Sequence, residues 1–280
     1  MNKTSQNRNY ADHTTENNKI ESSRAENNRI ENSRTEKKKA EKTEYLGTIC
    51  EIQRNSYHIL FEDKTISAKL KGTFNRENEA LPVVGDNVTF IPNENGDSLI
   101  ISVCERKSVL KRPYAADHSM DYGKEQVMVA NVDDVFIVSS LNDNYNFNRI
   151  ARYVSVTLQG NATPVVILTK TDLCSNPGRY ASEIEELSDK VRVHCVSALY
   201  GIGTEELHQY LQPGKTIAIL GSSGVGKSTL VNALVQEDVM KTSEIRESDS
   251  KGRHTTTHRQ MIVLKNGARI IDTPGMRELG

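Results

Sequence analysis

The stretch GSSGVGKS, Gly221 to Ser228, constrains the fold more than any other part of the chain. The pattern G-x-x-x-x-G-K-S is useful at one kind of junction, a turn between the end of a strand and the start of a helix. There, backbone N–H groups and the positive end of the helix dipole face phosphate oxygens. The flanks supply both elements: KTIAILG precedes the motif and KSTLVNALVQE follows it. Gly221, Gly224 and Gly226 let the backbone close on phosphate, with Ser222, Ser223 and Val225 filling the loop and Thr229 continuing into the helix. Lys227 is placed to reach β- and γ-phosphates, and Ser228 to ligand Mg²⁺. The loop alone does not choose between ATP and GTP.

Two further stretches fit the same site. Asp272-Thr-Pro-Gly275 follows the apolar Ile270-Ile271, as a D-x-x-G element would. Asp272 would hold Mg²⁺ through water, and the Gly275 N–H would meet the γ-phosphate. Between the two motifs lies GRHTTTH, Gly252 to His258. One threonine there completes the Mg²⁺ shell; Thr256 is favoured over Thr255 and Thr257.

The base is read upstream. VVILTKTDL ends a buried strand in Thr169-Lys170-Thr171-Asp172. A carboxylate at Asp172 accepts from guanine N1–H and the N2 amine. Adenine offers neither, so a buried Asp would be left unpaired at a cost. The usual first residue of such a tetrad is Asn; Thr169 keeps a hydroxyl but lacks the amide. Lys170 lays its stem over the base. Ser197-Ala198, ending VRVHCVSA, offers a backbone N–H to guanine O6. All of these fall at the carboxyl ends of expected parallel strands, where such folds bind ligands. The order is unusual, because the base reader precedes the phosphate loop.

From about Asn131 strands alternate with helices, which implies an α/β domain with a mostly parallel sheet covered on both faces. Six strands are expected, around Val135, Val165, Val193, Ile217, Ile262 and Ile270, the one in HRQMIVLKNG being edge-like. Residues 45–107 carry five short strands with turn residues between them, the pattern of a small OB-type barrel. Such barrels often bind RNA, and Lys64, Lys69, Lys71 and Arg76 are candidates for a contact face, against the plainer reading of solvated charges. Residues 108–130 read as a linker. Residues 1–44 repeat at ten residues (TENNKIESSR, AENNRIENSR) and hold too little apolar surface to offset chain entropy, so they read as a disordered tail.

Composition excludes several classes. Basic and acidic residues nearly balance, 36 against 37, so any nucleic-acid patch must be local. No apolar run is long enough for a transmembrane helix, and the polar N-terminus lacks a signal core. The four cysteines lack CxxC spacing, which argues against a disulfide framework or a zinc site in this chain and for a reduced, cytoplasmic setting.

Taken in order, the barrel, the segment SVLKRPYAADHSMDYGKEQVMVANVDDVFIV, TKTD, SALYG, GSSGVGKST, GRHTTTH and DTPGMRE resemble the circularly permuted GTPases of the RsgA (YjeQ/EngC) family from about Tyr45 to Gly280. The resemblance implies a permuted G domain, GTP hydrolysis with Mg²⁺, and action as a monomer in late maturation of the 30S subunit. It also implies contact with 16S rRNA and stimulation of hydrolysis by the subunit. It implies a zinc-binding C-terminal domain as well, for which this sequence holds no Cys/His cluster, so zinc is not expected here. After DTPG many GTPases place a water-orienting Gln; here stands Met276. His254 is the candidate to orient water, with Lys227 stabilising transition-state charge, while Arg253, His258 and Arg259 are candidates to face rRNA. Two rivals stay open: a non-catalytic RNA-binding module that uses guanine nucleotide as a conformational ligand, and a P-loop ATPase.

Overall fold

The computed structural model describes residues 43–53, 56–72, 74, 81–113, 125–235 and 260–273. The tail to residue 42, Arg76 and the GRHTTTH segment lie outside them, as do Gly275 and Met276.

Five strands build the barrel: β1 (Tyr45–Gln53), β2 (Ser56–Phe61), β3 (Lys64–Leu70), β4 (Asn87–Ile91) and β5 (Ser98–Val103). They pair in the order β1-β2-β3-β5-β4, and β4 pairs back to β1, so the sheet closes on itself. Only β3–β5 is parallel. Alternation along β4 sends Val88 and Phe90 inward, where they join Ile49, Ile59, Ala68 and Ile100. Phe61 stands edge-on to both Tyr45 and Phe90, with ring centroids 5.3 and 5.4 Å apart. The β2–β3 hairpin turns through Glu62 and Asp63, both at positive φ (46° and 60°), the twist a two-residue turn requires. Of the candidate RNA-facing lysines, Lys69 pairs with Asp97. Lys64 is exposed and Lys71 half-buried.

The segment read as a linker contains a hairpin of its own, β6 (Val109–Pro113) with β7 (Glu125–Ala130). Its approach is fixed by a bidentate pair: Arg106 Nε and Nη2 donate to the fully buried Asp86 at 2.8 and 2.7 Å.

The mostly parallel part of the same eleven-stranded sheet is built from β8 (Asp134–Ser140), β9 (Thr163–Thr169), β10 (Arg192–Cys195), β11 (Thr216–Leu220), β12 (Gln260–Val263) and β13 (Arg269–Asp272). Its order is β10-β9-β8-β11-β13-β12; the first five run parallel and β12 antiparallel. Alternate residues serve opposite faces. On one face Val135, Ile137, Val166, Leu168, Ala218 and Leu220 pack under α1 (Phe147–Gln159) and α2 (Pro177–Glu185). On the other, Phe136, Val138, Val165, Ile167, Ile217 and Ile219 pack with Leu230, Val231 and Leu234 of α3 (Lys227–Val235). This double burial explains the near-continuous apolar runs. The strand expected at an edge, β12, instead has neighbours on both sides, because Glu51 of β1 pairs with Gln260. The expected helix in TEELHQYLQ is a 3₁₀ segment, Glu205–Gln209.

Asn146 and Asn176 cap α1 and α2, each side chain accepting the N–H of the residue three positions on. Gly160 does close α1, but not by a left-handed turn: its φ is −84°. A Cβ there would lie 2.0 Å from the Val109 carbonyl oxygen, so glycine is required by the close approach of the β6 backbone.

Candidate functional site

All five parallel strands end at one edge of the sheet, and those expected site residues that the structure describes cluster there. β11 delivers the chain to Gly221, whose φ is 150° and whose missing Cβ leaves room for the Val138 carbonyl oxygen, 2.5 Å from where a Cβ would sit. Gly224 and Gly226 have φ of 76° and 93°. These values give the loop a course that side-chain-bearing residues rarely follow. The Lys227 ammonium lies across the loop, donating to Gly221 O at 2.9 Å and Ser222 O at 2.7 Å. Ser228 is half-buried in the first turn of α3, and Thr229 beside it is exposed. Asp272 ends β13 in register with Ile219, just before the loop. The Thr273 hydroxyl donates to Ile219 O at 2.7 Å and fixes that exit.

The TKTD turn is stitched to this loop by consecutive side chains. The buried Thr169 hydroxyl donates to Val225 O at 2.6 Å, with Ser139 O also near at 3.3 Å. Lys170, at φ 56°, extends its ammonium to Gly224 O at 2.9 Å. Thr169 thus serves the phosphate loop, whatever it offers the base. Thr171 N–H donates to Val196 O, which ties the turn to the end of β10. Asp172 is exposed, and one of its oxygens accepts the Ser197 hydroxyl at 2.5 Å. The Ser197 N–H is engaged by Ile202 O, so the amide left to meet a ligand is that of Ala198.

Asn144 belongs to the site although the motifs do not name it. It sits in the loop after β8. Its Nδ2 donates to Ser223 O at 3.2 Å, and its Oδ1 accepts the Ser222 hydroxyl at 3.4 Å and Arg149 Nη2 at 3.0 Å. The signal available was positional: an Asn-rich loop, LNDNYN, at the carboxyl end of a buried parallel strand.

The chemistry of the donor set suits a hard divalent cation. Ser228 supplies a hydroxyl and Asp272 a carboxylate, the oxygen ligands Mg²⁺ takes alongside phosphate. His254, Thr256 and Gly275 lie outside the described residues.

A phosphate loop and a TKTD turn on one sheet edge, with the base turn first in the chain, define a circularly permuted P-loop GTPase fold carrying an OB-type barrel. The chain belongs to the RsgA GTPase family, whose model matches residues 103–280. It is 41% identical over 233 residues to the small ribosomal subunit biogenesis GTPase RsgA of Methanosarcina acetivorans, covering 83% of this chain and 60% of that protein. It is 43% identical over 240 residues to RsgA 1 of Listeria monocytogenes, covering 85% and 66%. The chain therefore spans about three fifths to two thirds of these curated relatives. Among solved structures, YjeQ from Thermotoga maritima aligns with a TM-score of 0.63 at 29% identity, over 85% of this chain and 77% of that one. YloQ, a circularly permuted GTPase, aligns at 0.59 and 21% identity over 86% and 75%, a likeness of fold.

Proposed function

We propose that the chain binds guanine nucleotide at this edge, hydrolyses GTP with Mg²⁺, and acts in biogenesis of the small ribosomal subunit in the cytoplasm, touching 16S rRNA. The observation that carries the nucleotide reading is the double stitch from Thr169 and Lys170 to Val225 O and Gly224 O. It locks the base reader and the phosphate cradle into one rigid unit. The ribosomal reading rests on what the relatives are named. Among the described residues no helix is long and apolar enough to cross a membrane.

Asp172 accepts from guanine N1–H and the N2 amine, with Ser197 orienting its carboxylate. Lys170 covers the base, and the Ala198 N–H meets O6. The N–H groups from Ser222 to Thr229 and the Lys227 ammonium hold the β- and γ-phosphates. Mg²⁺, held by Ser228 and Asp272 with Thr256, would supply charge neutralisation on the phosphate oxygens. Gly275 N–H adds a donor to the γ-phosphate. His254 orients the water that attacks the γ-phosphorus in line, as Met276 cannot.

Turnover of GTP by the chain is measured alone and with 30S particles at saturating nucleotide. Slow turnover alone and acceleration by 30S are expected. Absence of stimulation would favour a non-catalytic RNA-binding module that uses nucleotide as a conformational ligand. Displacement of fluorescent GDP by ATP but not GTP would overturn the guanine assignment.

A further inference from the structure

A polar cleft of about 320 Å³ lies at the opposite edge of the parallel sheet, where β8, β9, β11 and β13 begin. Its walls come from the barrel (Asn87), from the residues flanking the β6–β7 hairpin (Lys107, Asn131), and from the first residues of the sheet (Asp133, Lys215, Arg269). It is thus the seam between barrel and sheet.

The carboxylate and two of the three amide oxygens on its side chains are engaged. Asp133 Oδ1 takes Lys215 Nζ at 3.1 Å, and Oδ2 takes the Thr216 N–H at 2.8 Å. Asn131 Oδ1 takes the Lys107 N–H at 2.9 Å, and Asn87 Oδ1 takes the Thr48 hydroxyl at 3.0 Å. Lys215 and Asp133 cancel each other's charge. Among the described residues, the Lys107 ammonium, the Arg269 guanidinium and the Asn87 amide nitrogen make no hydrogen bond or ion pair. Arg269 is half-buried, so its charge is screened less than an exposed one. The uncompensated charge of the lining is therefore positive, carried by Lys107 and Arg269. A neighbouring cleft on the barrel wall shares Arg269 and Asn87 but carries Glu62 and Asp63, which makes it a poor seat for an anion.

We infer that this seam seats a phosphate group, gripped by the Arg269 fork and the Lys107 ammonium with the Asn87 amide beside them. Guanidinium matches phosphate geometry in two parallel hydrogen bonds, and the lysine adds a point charge. The volume is at the small end for ligand clefts and suits a phosphate with its sugar. Such a group comes either from an RNA backbone or from a free phosphate compound. The seam is remote from the P-loop, so the inference goes beyond the nucleotide reading, and GDP affinity reports on that reading separately.

The test uses the full chain saturated with GDP and Mg²⁺, so that the P-loop cannot answer for added phosphate. One arm follows the melting temperature as inorganic phosphate replaces chloride at constant ionic strength. The other follows binding of a fluorescent single-stranded RNA of about 12 nucleotides across a salt series. The Lys107→Gln/Arg269→Gln variant is expected to keep its GDP affinity. If RNA is the source, the variant loses about tenfold in RNA affinity and its salt slope shrinks by about 0.7, the value for one single-strand phosphate no longer neutralised, while the phosphate arm stays flat. If a free phosphate compound is the source, the parent's melting shift disappears in the variant and RNA binding is unchanged. Should the double variant fail to fold, Lys107→Gln alone, at an exposed position, is read in both arms with about half the slope change. Parent and variant behaving alike in both arms would overturn the inference.

Discussion

The hydroxyl of Thr169 sits 2.6 Å from the carbonyl oxygen of Val225, joining the end of β9 to the middle of the P-loop. Both groups are buried, so the bond competes little with water. Thr169→Val keeps the shape and removes the donor, which leaves Val225 O without it. We expect nucleotide affinity to fall about fivefold, in line with about 1 kcal/mol for a net hydrogen bond. The decrease should be equal for GDP and GTP, because the stitch supports the loop rather than one phosphate. Fluorescent-nucleotide titration checks this; a change confined to GTP would place Thr169 at the γ-phosphate instead.

Asp172 and Ser197 form the base-reading pair. The Ser197 hydroxyl holds one carboxylate oxygen at 2.5 Å and leaves the other for the base. Asp172→Asn turns one acceptor into a donor, which clashes with guanine N1–H or the N2 amine and suits the extra carbonyl of xanthine. GTP affinity is expected to fall by about a hundredfold, with XTP affinity rising, in line with up to about 3 kcal/mol for a hydrogen bond to a charged group. Competition of both nucleotides against labelled GDP reads the outcome, and unchanged GTP affinity would remove Asp172 from the role.

Asn144 ties Ser222 and Ser223 of the loop to Arg149 of α1. Asn144→Ala removes the side-chain bonds to the loop and to Arg149, while Arg149 Nη2 keeps its bond to the backbone oxygen of residue 144. Nucleotide release should speed up by about tenfold, which corresponds to about 1.4 kcal/mol shared among those bonds, with little change in melting temperature. Stopped-flow release of labelled GDP measures it. Equal release rates would make the bonds to the loop incidental.

Much of this was legible from residues because the signals were local. The strands with both faces buried read as continuous apolar runs, and the P-loop announced its own strand and helix. What escaped was set by pairing at a distance. The β6–β7 hairpin joins short runs across the eleven residues YAADHSMDYGK, too long for a two-residue turn signal, so VLKRP and EQVMVA read as linker. The turn at Glu62-Asp63 uses residues that adopt positive φ less readily than Asn-Gly, and its conformation follows from strand register. β12 takes its second neighbour from β1, more than 200 residues earlier, which no periodicity records. At the site, Thr169 was expected as a weakened base contact. Its hydroxyl proved to face the phosphate loop, a partner that only the folded sheet brings near.

Tyr145, the neighbour of Asn144, carries a cost in the same loop. Its ring packs edge-on to Tyr180 at 4.7 Å, yet its buried hydroxyl finds no partner among the described residues. Burial first, then the nearby Glu183 and Tyr180, push its phenol up to about 12 from an ordinary 10. The sign follows from linkage: the unfolded chain releases this proton near pH 10, while the folded one holds it to about pH 12. Stability is therefore fully retained below the unfolded value, and it falls as pH rises through that window. Tyr145→Phe removes a hydroxyl that is desolvated without a bond, so at pH 8 the variant should melt within about 1 °C of the parent or slightly above it. Between pH 8 and pH 11 it should gain on the parent by about 2 °C or more, against the background of Tyr153 and Tyr210, whose phenols are also raised by burial in both proteins. Parallel melting curves at the two pH values decide the matter; a constant gap would show that Tyr145 ionises alike in the folded and unfolded chain.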